Sequence, residues 1–360
     1  MAEFINHTLG MLQPKDLIDT GFLIERPNDP VEQLFDDMQT DNLIASYYTL
    51  ASQYTIPQMA QFHAFDVEAQ KSIPAPIDEH NVKKGLIKVK RNTSELLDEL
   101  LERGVSGENA LYKFVSDFAA DLNDQVVTRA KVARTELIAT GKVTLKENGI
   151  DETIEYGVPD DHLNLTLDVG DGAQEPLATQ IQEIVDNASD MGVTLTGIVT
   201  SRSTLTKIRN NASVQKAING VYMEGATVSN AALLAWFSAE FGITQVITDD
   251  LSYSLPYTMG ADGRPVVQSK RYYPKNVISF FGTGNGQKFG SGLWGVPPEV
   301  RLSNFYADGT RPAQNPYVYL HQWAEDDPAV LWTKASALFI PVLYNPNSLY
   351  VATVIETPGA

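Results

Sequence analysis

Apolar residues three or four apart run without a break through the middle of the chain: Leu111, Phe114, Val115, Phe118, Leu122, Val126, Ala130, Ala133 and Leu137. That spacing predicts one long amphipathic helix over 106–140, with Ser106 placed to cap it and Gly141 placed to stop it. At 1.5 Å of rise per residue such a rod is about 50 Å long, enough to span a whole subunit. The period then changes. Lys142-Val143-Thr144-Leu145 and Thr153-Ile154-Glu155-Tyr156 flank Asn148-Gly149, the pattern of a β-hairpin.

Upstream of the helix the pattern is weaker. Met1 to about Thr49 has no sustained periodicity and is interrupted by Pro14, Pro27 and Pro30, which predicts an extended arm with one short helix near 31–38. An arm with little core of its own is expected to lie on a neighbour. Tyr47 to Ala64 favours β-structure, while Ile73-Pro74-Ala75-Pro76-Ile77 cannot form a central strand because two prolines lack ladder donors. Residues 65–89 therefore read as a long hairpin-like excursion.

Downstream, helices and strands alternate. Leu177, Ile181, Ile184, Val185 and Ala188 mark a helix ending near Gly192. A strand at 195–200, a helix at 205–210, a helix at 230–241 stopped by Gly242 and a strand at 243–248 follow, the layout of a second, α/β unit. The end of the chain returns to β. Residues 335–344, a turn at Asn345-Pro346-Asn347-Ser348, and 349–355 predict an antiparallel hairpin, with Pro341 at an edge or bulge. No repeat of 20 to 50 residues is visible.

Composition narrows the function classes. With 43% hydrophobic residues and ordinary Gly (25) and Pro (19) counts, the 360-residue chain is of the globular class. No run approaches the roughly 18 apolar residues that a membrane span needs, and the first ten residues lack a secretory layout, so a soluble protein is expected. There is no cysteine, which removes disulfides, thiolate metal sites and thiol nucleophiles. A formal charge of −18 repels phosphates and argues against a nucleic-acid-binding regulator.

Candidate chemistry is sparse. The five histidines (His7, His63, His80, His162, His321) show no ligand spacing. The glycine-rich run 282–290 lacks the Gly-Lys-Ser/Thr ending of a phosphate loop and leads into Trp294-Gly295-Val296-Pro297-Pro298, so it reads as a hairpin or turn. Ser201 and Ser203 follow a strand but lack a nucleophile elbow, and Ser203 is placed to cap the next helix. Asp249-Asp250 could bind a metal, yet no third ligand can be named.

The most pointed feature is charge. Lys83, Lys84, Lys88, Lys90 and Arg91 put five basic residues in nine, against an acidic stretch, Glu25 to Asp41, that holds six acids and only Arg26. The basic run is a candidate inter-subunit contact, paired with a neighbour's Asp36, Asp37, Glu95 or Glu99; a solvated strand face is the alternative. No catalytic, cofactor-binding or metal-ligating residue is expected. The rival readings are a nucleotide- or metal-dependent enzyme built on 177–292, and another kind of structural protein, one that assembles as a tube.

Four passages resemble the phage lambda major capsid protein family, the capsid protein E family. They are Arg134 to Val143 with Ile154-Glu155-Tyr156-Gly157 and Asn164-Leu165-Thr166; Tyr54-Thr55-Ile56-Pro57; Pro274-Lys275-Asn276-Val277-Ile278 with Trp294-Gly295; and Asp327-Pro328 through Ala337 to Val342 and Asn345-Pro346-Asn347 to Val351. The resemblance implies an α+β chain with the tailed-phage capsid fold of the Hong Kong 97 type. It implies an N-terminal arm (1–49), an extended loop with flanking strands (50–92), a peripheral domain (93–175) with its spine helix at 106–140, an inserted α/β axial domain (176–325), and C-terminal strands (326–360) completing the peripheral domain. It further implies hexamers and pentamers in an icosahedral shell around double-stranded DNA, assembly with scaffold and portal proteins in the host cytoplasm, and in some members a trimeric decoration protein. It carries over no catalytic residue.

Overall fold

The computed structural model describes residues 29–50, 59–60, 77–92, 108–220, 227–256, 258–259, 265–282, 288–301, 313–326 and 329–358. The long helix is α1 (Glu108–Thr140). It stops at Gly141, whose φ of 71° is the left-handed conformation that favours glycine, and whose N–H donates to the Leu137 carbonyl at 2.8 Å. The expected hairpin follows as β5 (Lys142–Glu147) and β6 (Ile150–Glu155), with Asn148 and Gly149 both at positive φ in its turn.

Two sheets carry the rest. The first has six strands. On one edge of its longest strand, β18 (Ala329–Leu343), lie β15 (Gly290–Gly295) and, end to end with it, β17 (Val318–Asp326); β4 (Gly85–Asn92) runs along the other edge. β1 (Phe35–Thr40) pairs in parallel with β15, and β16 (Ala313–Asn315) pairs with β17. Apart from this sheet, β2 (Ile44–Leu50) and β3 (Ile77–Lys83) form a two-stranded ribbon, the described base of the expected excursion.

The second sheet is ordered β7 (Leu165–Asp168), β19 (Leu349–Ile355), β14 (Val277–Phe281), β8 (Gly197–Thr200) and β9 (Gln245–Thr248). A single turn of helix, α2 (Asp160–Leu163), precedes β7. Alternate residues of β14 serve two cores. Ile278 and Phe280 pack with the apolar residues of α3 (Leu177–Asp190), α4 (Arg202–Asn210), α5 (Ala212–Asn219) and α6 (Asn230–Phe241), while Phe281 joins the core around α1. On that same side the Ser279 hydroxyl donates to the Ile138 carbonyl of α1 at 2.8 Å. A final turn of helix is α7 (Pro298–Arg301).

The structure corrects three expectations. The closing hairpin is not one: β18 and β19 belong to different sheets, so β19 completes the second layer rather than the first. Asn345 accepts the Asn347 N–H at 3.1 Å and fixes a 3₁₀ turn, Pro346–Ser348, that carries the chain from one sheet to the other. The β14–β15 connection makes the reverse crossing, from the second sheet to the first. The crossings bond to each other, Gly282 N–H to Ser348 O at 3.0 Å and Tyr344 N–H to Phe289 O at 3.3 Å. Pro341 sits opposite Gly292 of β15 and past the Gly85 end of β4, where its missing donor is tolerated.

The expected helix at 31–38 is only a 3₁₀ turn, Glu32–Leu34, running into β1. β1 is no free arm; it is built into the chain's own sheet. Cations buried beneath it explain why. Arg134 of α1 is 2% exposed, pairs with Asp37, and lies near the Phe35 and Phe339 rings. One turn earlier Lys131 meets Asp29 at 3.2 Å and Asp249 at 3.9 Å, under the Tyr272 ring. Lys84, also 2% exposed, donates to the Thr40 and Trp294 carbonyls at 3.0 and 3.1 Å. A buried charge without such partners is very costly, so α1 can hold Lys131 and Arg134 inward only if the acidic segment lies over them.

Glycines make the room. A Cβ on Gly292 would overlap the Asp37 carboxylate and the Arg134 guanidinium, and one on Gly295 would press on the Lys84 stem. Removing one member of a buried ion pair costs about 3–5 kcal/mol. In urea unfolding of the unassembled subunit, Arg134→Ala should therefore lower the unfolding free energy by about 3–5 kcal/mol, and Gly292→Ala should lower it too; unchanged midpoints in both would contradict this packing.

Candidate assembly surface

The cationic run divides in the structure. β4 follows strict alternation, with Leu86, Lys88, Lys90 and Asn92 outward and Ile87, Val89 and Arg91 turned inward. Lys84, expected at a subunit contact, is instead buried inside its own protomer, because its position between β3 and β4 points it beneath β1. Arg91 pairs with Asp121 of α1 at 2.6 Å. Lys90 stands 4.0 Å over the Trp332 ring. Lys83 and Lys88 are exposed, and neither has a charge partner among the described residues.

The acids divide as well. Asp37 is taken by Arg134, and Asp36 lies 3.2 Å from Lys288 of the same chain. Glu95 and Glu99 fall outside the described residues. The acidic stretch that looked like a partner for a neighbour's lysines thus spends Asp29, Asp36 and Asp37 on its own chain. Lys131 and Arg134 were missed as their counterparts, although a signal existed: they lie in helical phase with Val127, Ala130 and Leu137, where an unpaired cation is not expected.

Lys90 opens a stacked strip on one face of the first sheet. Trp332 and Trp323 are a cross-strand pair with rings 6.0 Å apart and 13° from parallel, and His321 continues the stack 5.4 Å from Trp323. Burial pushes the His321 pKa down, Lys334 adds to the effect, and Glu299 opposes it. β4 pairs only with β18 among the described residues, so its other edge, lined by Lys88 and Lys90, is open. Lysines on an open edge discourage indiscriminate strand pairing while leaving a positive face for a matched partner.

The residues considered for chemistry have structural employment. Ser201, rather than Ser203, caps α4: its Oγ accepts the Thr204 N–H at 3.3 Å. Burial raises the Asp249 pKa despite Lys131, and Asp250 holds Arg271 with Arg202 3.5 Å away. His162 stacks on Tyr350 at 3.9 Å, and burial lowers its pKa. Among the described residues no three His, Asp or Glu side chains are grouped to hold a metal ion. His7, His63 and residues 283–287 of the glycine run lie outside the described residues.

This arrangement, a long helix beneath a sheet that shares two bonded crossings with a second α/β layer, is the tailed-phage capsid fold of the Hong Kong 97 type. The structure matches a protein assigned as the capsid protein of a prophage of Escherichia coli CFT073 with a TM-score of 0.53 and 13% identity, covering 96% of this chain and 99% of that one. A phage-related protein from Bordetella bronchiseptica RB50 matches with a TM-score of 0.54 and 10% identity, covering 94% and 95%. A search of curated proteins finds no match. The sequence pattern of the family described as phage major capsid protein E matches residues 86–354, and the chain belongs to that family. It is a shell-forming capsid protein of the phage virion.

The lowered histidines fix a pH response. The ordinary value is 6.5; below it the unfolded chain takes up protons that the folded sites at His162 and His321 resist. Stability present above 6.5 is therefore lost as pH falls through the depressed folded values. His321→Gln should flatten the fall in unfolding midpoint between about pH 7 and pH 5. An unaltered slope in the variant would contradict the assignment.

Proposed function

We propose that this chain is the major head protein of a tailed phage, forming hexamers and pentamers of an icosahedral shell that encloses double-stranded DNA. The observation that carries this is the family match over residues 86–354, which takes in α1 and strands of both sheets. The first sheet with α1 serves as the peripheral domain and the second sheet with α3 to α6 as the axial domain at the ring centre. β1 belongs to the N-terminal arm expected at 1–49, and β3 and β4 to the extended-loop segment expected at 50–92. Scaffold and portal proteins assist assembly in the host cytoplasm, and some shells of this design take a trimeric decoration protein. The role is mechanical and not enzymatic: of the residues considered for chemistry, Ser201 caps α4, Asp249 faces Lys131 and Asp250 holds Arg271.

Subunits at a net charge of −18 repel one another as a whole, so local positive patches are needed where copies meet. Lys83 and Lys88, exposed beside an open edge, supply one. The partner is an acidic surface of a neighbour. Electron microscopy of the co-expressed, purified protein should show closed polyhedral shells; tubes would favour a tail protein. The double reversal Lys83→Glu with Lys88→Glu should reduce particle yield while leaving the unfolding midpoint of the subunit unchanged. Wild-type yield from the double variant, or a wild-type yield indifferent to salt, would overturn this contact.

A further inference from the structure

The chain between β9 and β14 leaves the edge of the second sheet as a narrow ribbon. β10 (Ser252–Ser254) pairs with β13 (Ser269–Arg271), and β11 (Thr258–Met259) pairs with β12 (Pro265–Val266) further out. Its base is fixed: Tyr253 packs on Tyr272 with ring centroids 4.9 Å apart, Tyr272 covers Lys131, and Arg271 pairs with Asp250. Beyond the base, nothing among the described residues covers the return strand. Residues 266–270 are exposed at every position, so both faces of the strand are bare, with Val266 at 42% and Val267 at 62%. A two-stranded ribbon is marginal in water unless a third element packs on it. An apolar pair followed by Lys270, which has no charge partner among the described residues, specifies a partner with an apolar floor and acidic rim.

Such a surface exists at the opposite edge of the same sheet. Between β7 and α3 lies a cavity of about 430 Å³, with Leu165 and Ile184 in its lining and Asp168, Glu175 and Glu183 as its acids; no basic residue lines it. Asp168 is already bound, accepting the Gly170 and Thr357 N–H groups at 2.9 and 3.0 Å, which leaves exposed Glu175 and Glu183 to meet a cation. β7 pairs only with β19 among the described residues, so its outer edge is open beside this cavity.

Resting on the ring-forming role proposed above, we infer that the return strand of the ribbon, residues 265–271, of one copy seats in the β7–α3 groove of the next copy around each hexamer or pentamer. A projection at one edge and its complementary groove at the other make a heterologous contact, the kind that closes into rings. Val266 and Val267 enter against Leu165 and Ile184, and Lys270 meets Glu183 or Glu175.

The absence of cysteine from the chain makes this directly testable, because a disulfide needs Cβ atoms within about 4.5 Å and no native thiol competes. Assembled shells of the double variant Val267→Cys with Glu183→Cys should, on mild oxidation, shift from monomer to a ladder of covalent bands ending at the ring size on a non-reducing gel. Each single variant should stay monomeric. A monomer band from oxidised, intact double-variant shells would overturn the docking, as would dimers from Val267→Cys alone, which signal a symmetric contact instead. If the wild type forms no closed shells, the failure lies with the proposed function; if shells form and the ladder is missing, it lies with this contact.

Discussion

Burial of Arg134 is the constraint on which the subunit turns. A guanidinium cannot shed its charge, so placing it at 2% exposure beneath the first sheet obliges the chain to supply a carboxylate there. Asp37 does so, and Asp29 does the same for Lys131 one turn away. The result is that β1, a strand with a weak hydrophobic pattern, is fixed in parallel register beside β15. Phe35 then packs edge-on to Phe289 and the core around α1 closes.

The same helix serves both layers. α1 lies under β18 and β4 and reaches the second sheet where Ser279 bonds the Ile138 carbonyl. Two chain crossings, hydrogen-bonded to one another, tie the sheets together at the same place. A shell wall must transmit load between neighbours without tearing its subunits, and paired crossings braced by a rod distribute that load over several strands rather than one linker. Among the described residues, what remains outside this braced body is the β2–β3 ribbon, the open edge of β4, and the ribbon between β9 and β14.

Much of the fold was legible because its elements obey strong local rules. The 3.6-residue period of α1 with Gly141 at its end, the Asn-Gly hairpin of β5 and β6, and the α6 stop at Gly242 all rest on short-range chemistry. The order of parts also carried the family resemblance. What was not legible is long-range. Leu349 to Ile355 looks like the return of a hairpin, and only the partners Ala352–Leu165 and Ile278–Ala352 reveal that it completes another sheet. α5 was overlooked because its eight residues show a single buried apolar side chain, Val214, although Asn211 offered a cap. The destination of the acidic stretch was hidden for a related reason. Charge shows that Asp29, Asp36 and Asp37 need cations, but nothing local chooses between Lys84 or Lys88 of another copy and Lys131 or Arg134 of the same helix. Burial made that choice, and with it took Lys84 and Asp37 out of the candidate contact, while Arg91 pairs with Asp121 at the surface.

A three-dimensional reconstruction of the particles formed by this chain, at a resolution that traces strands, tests the account most directly. A closed shell should be seen in which residues 35–40 run beside 290–295 of the same protomer, with the Arg134 side chain against Asp37 and the density of Gly292 free of side chain between them. Particles that are not closed shells, or a β1 strand whose density continues into a neighbouring protomer, would contradict it.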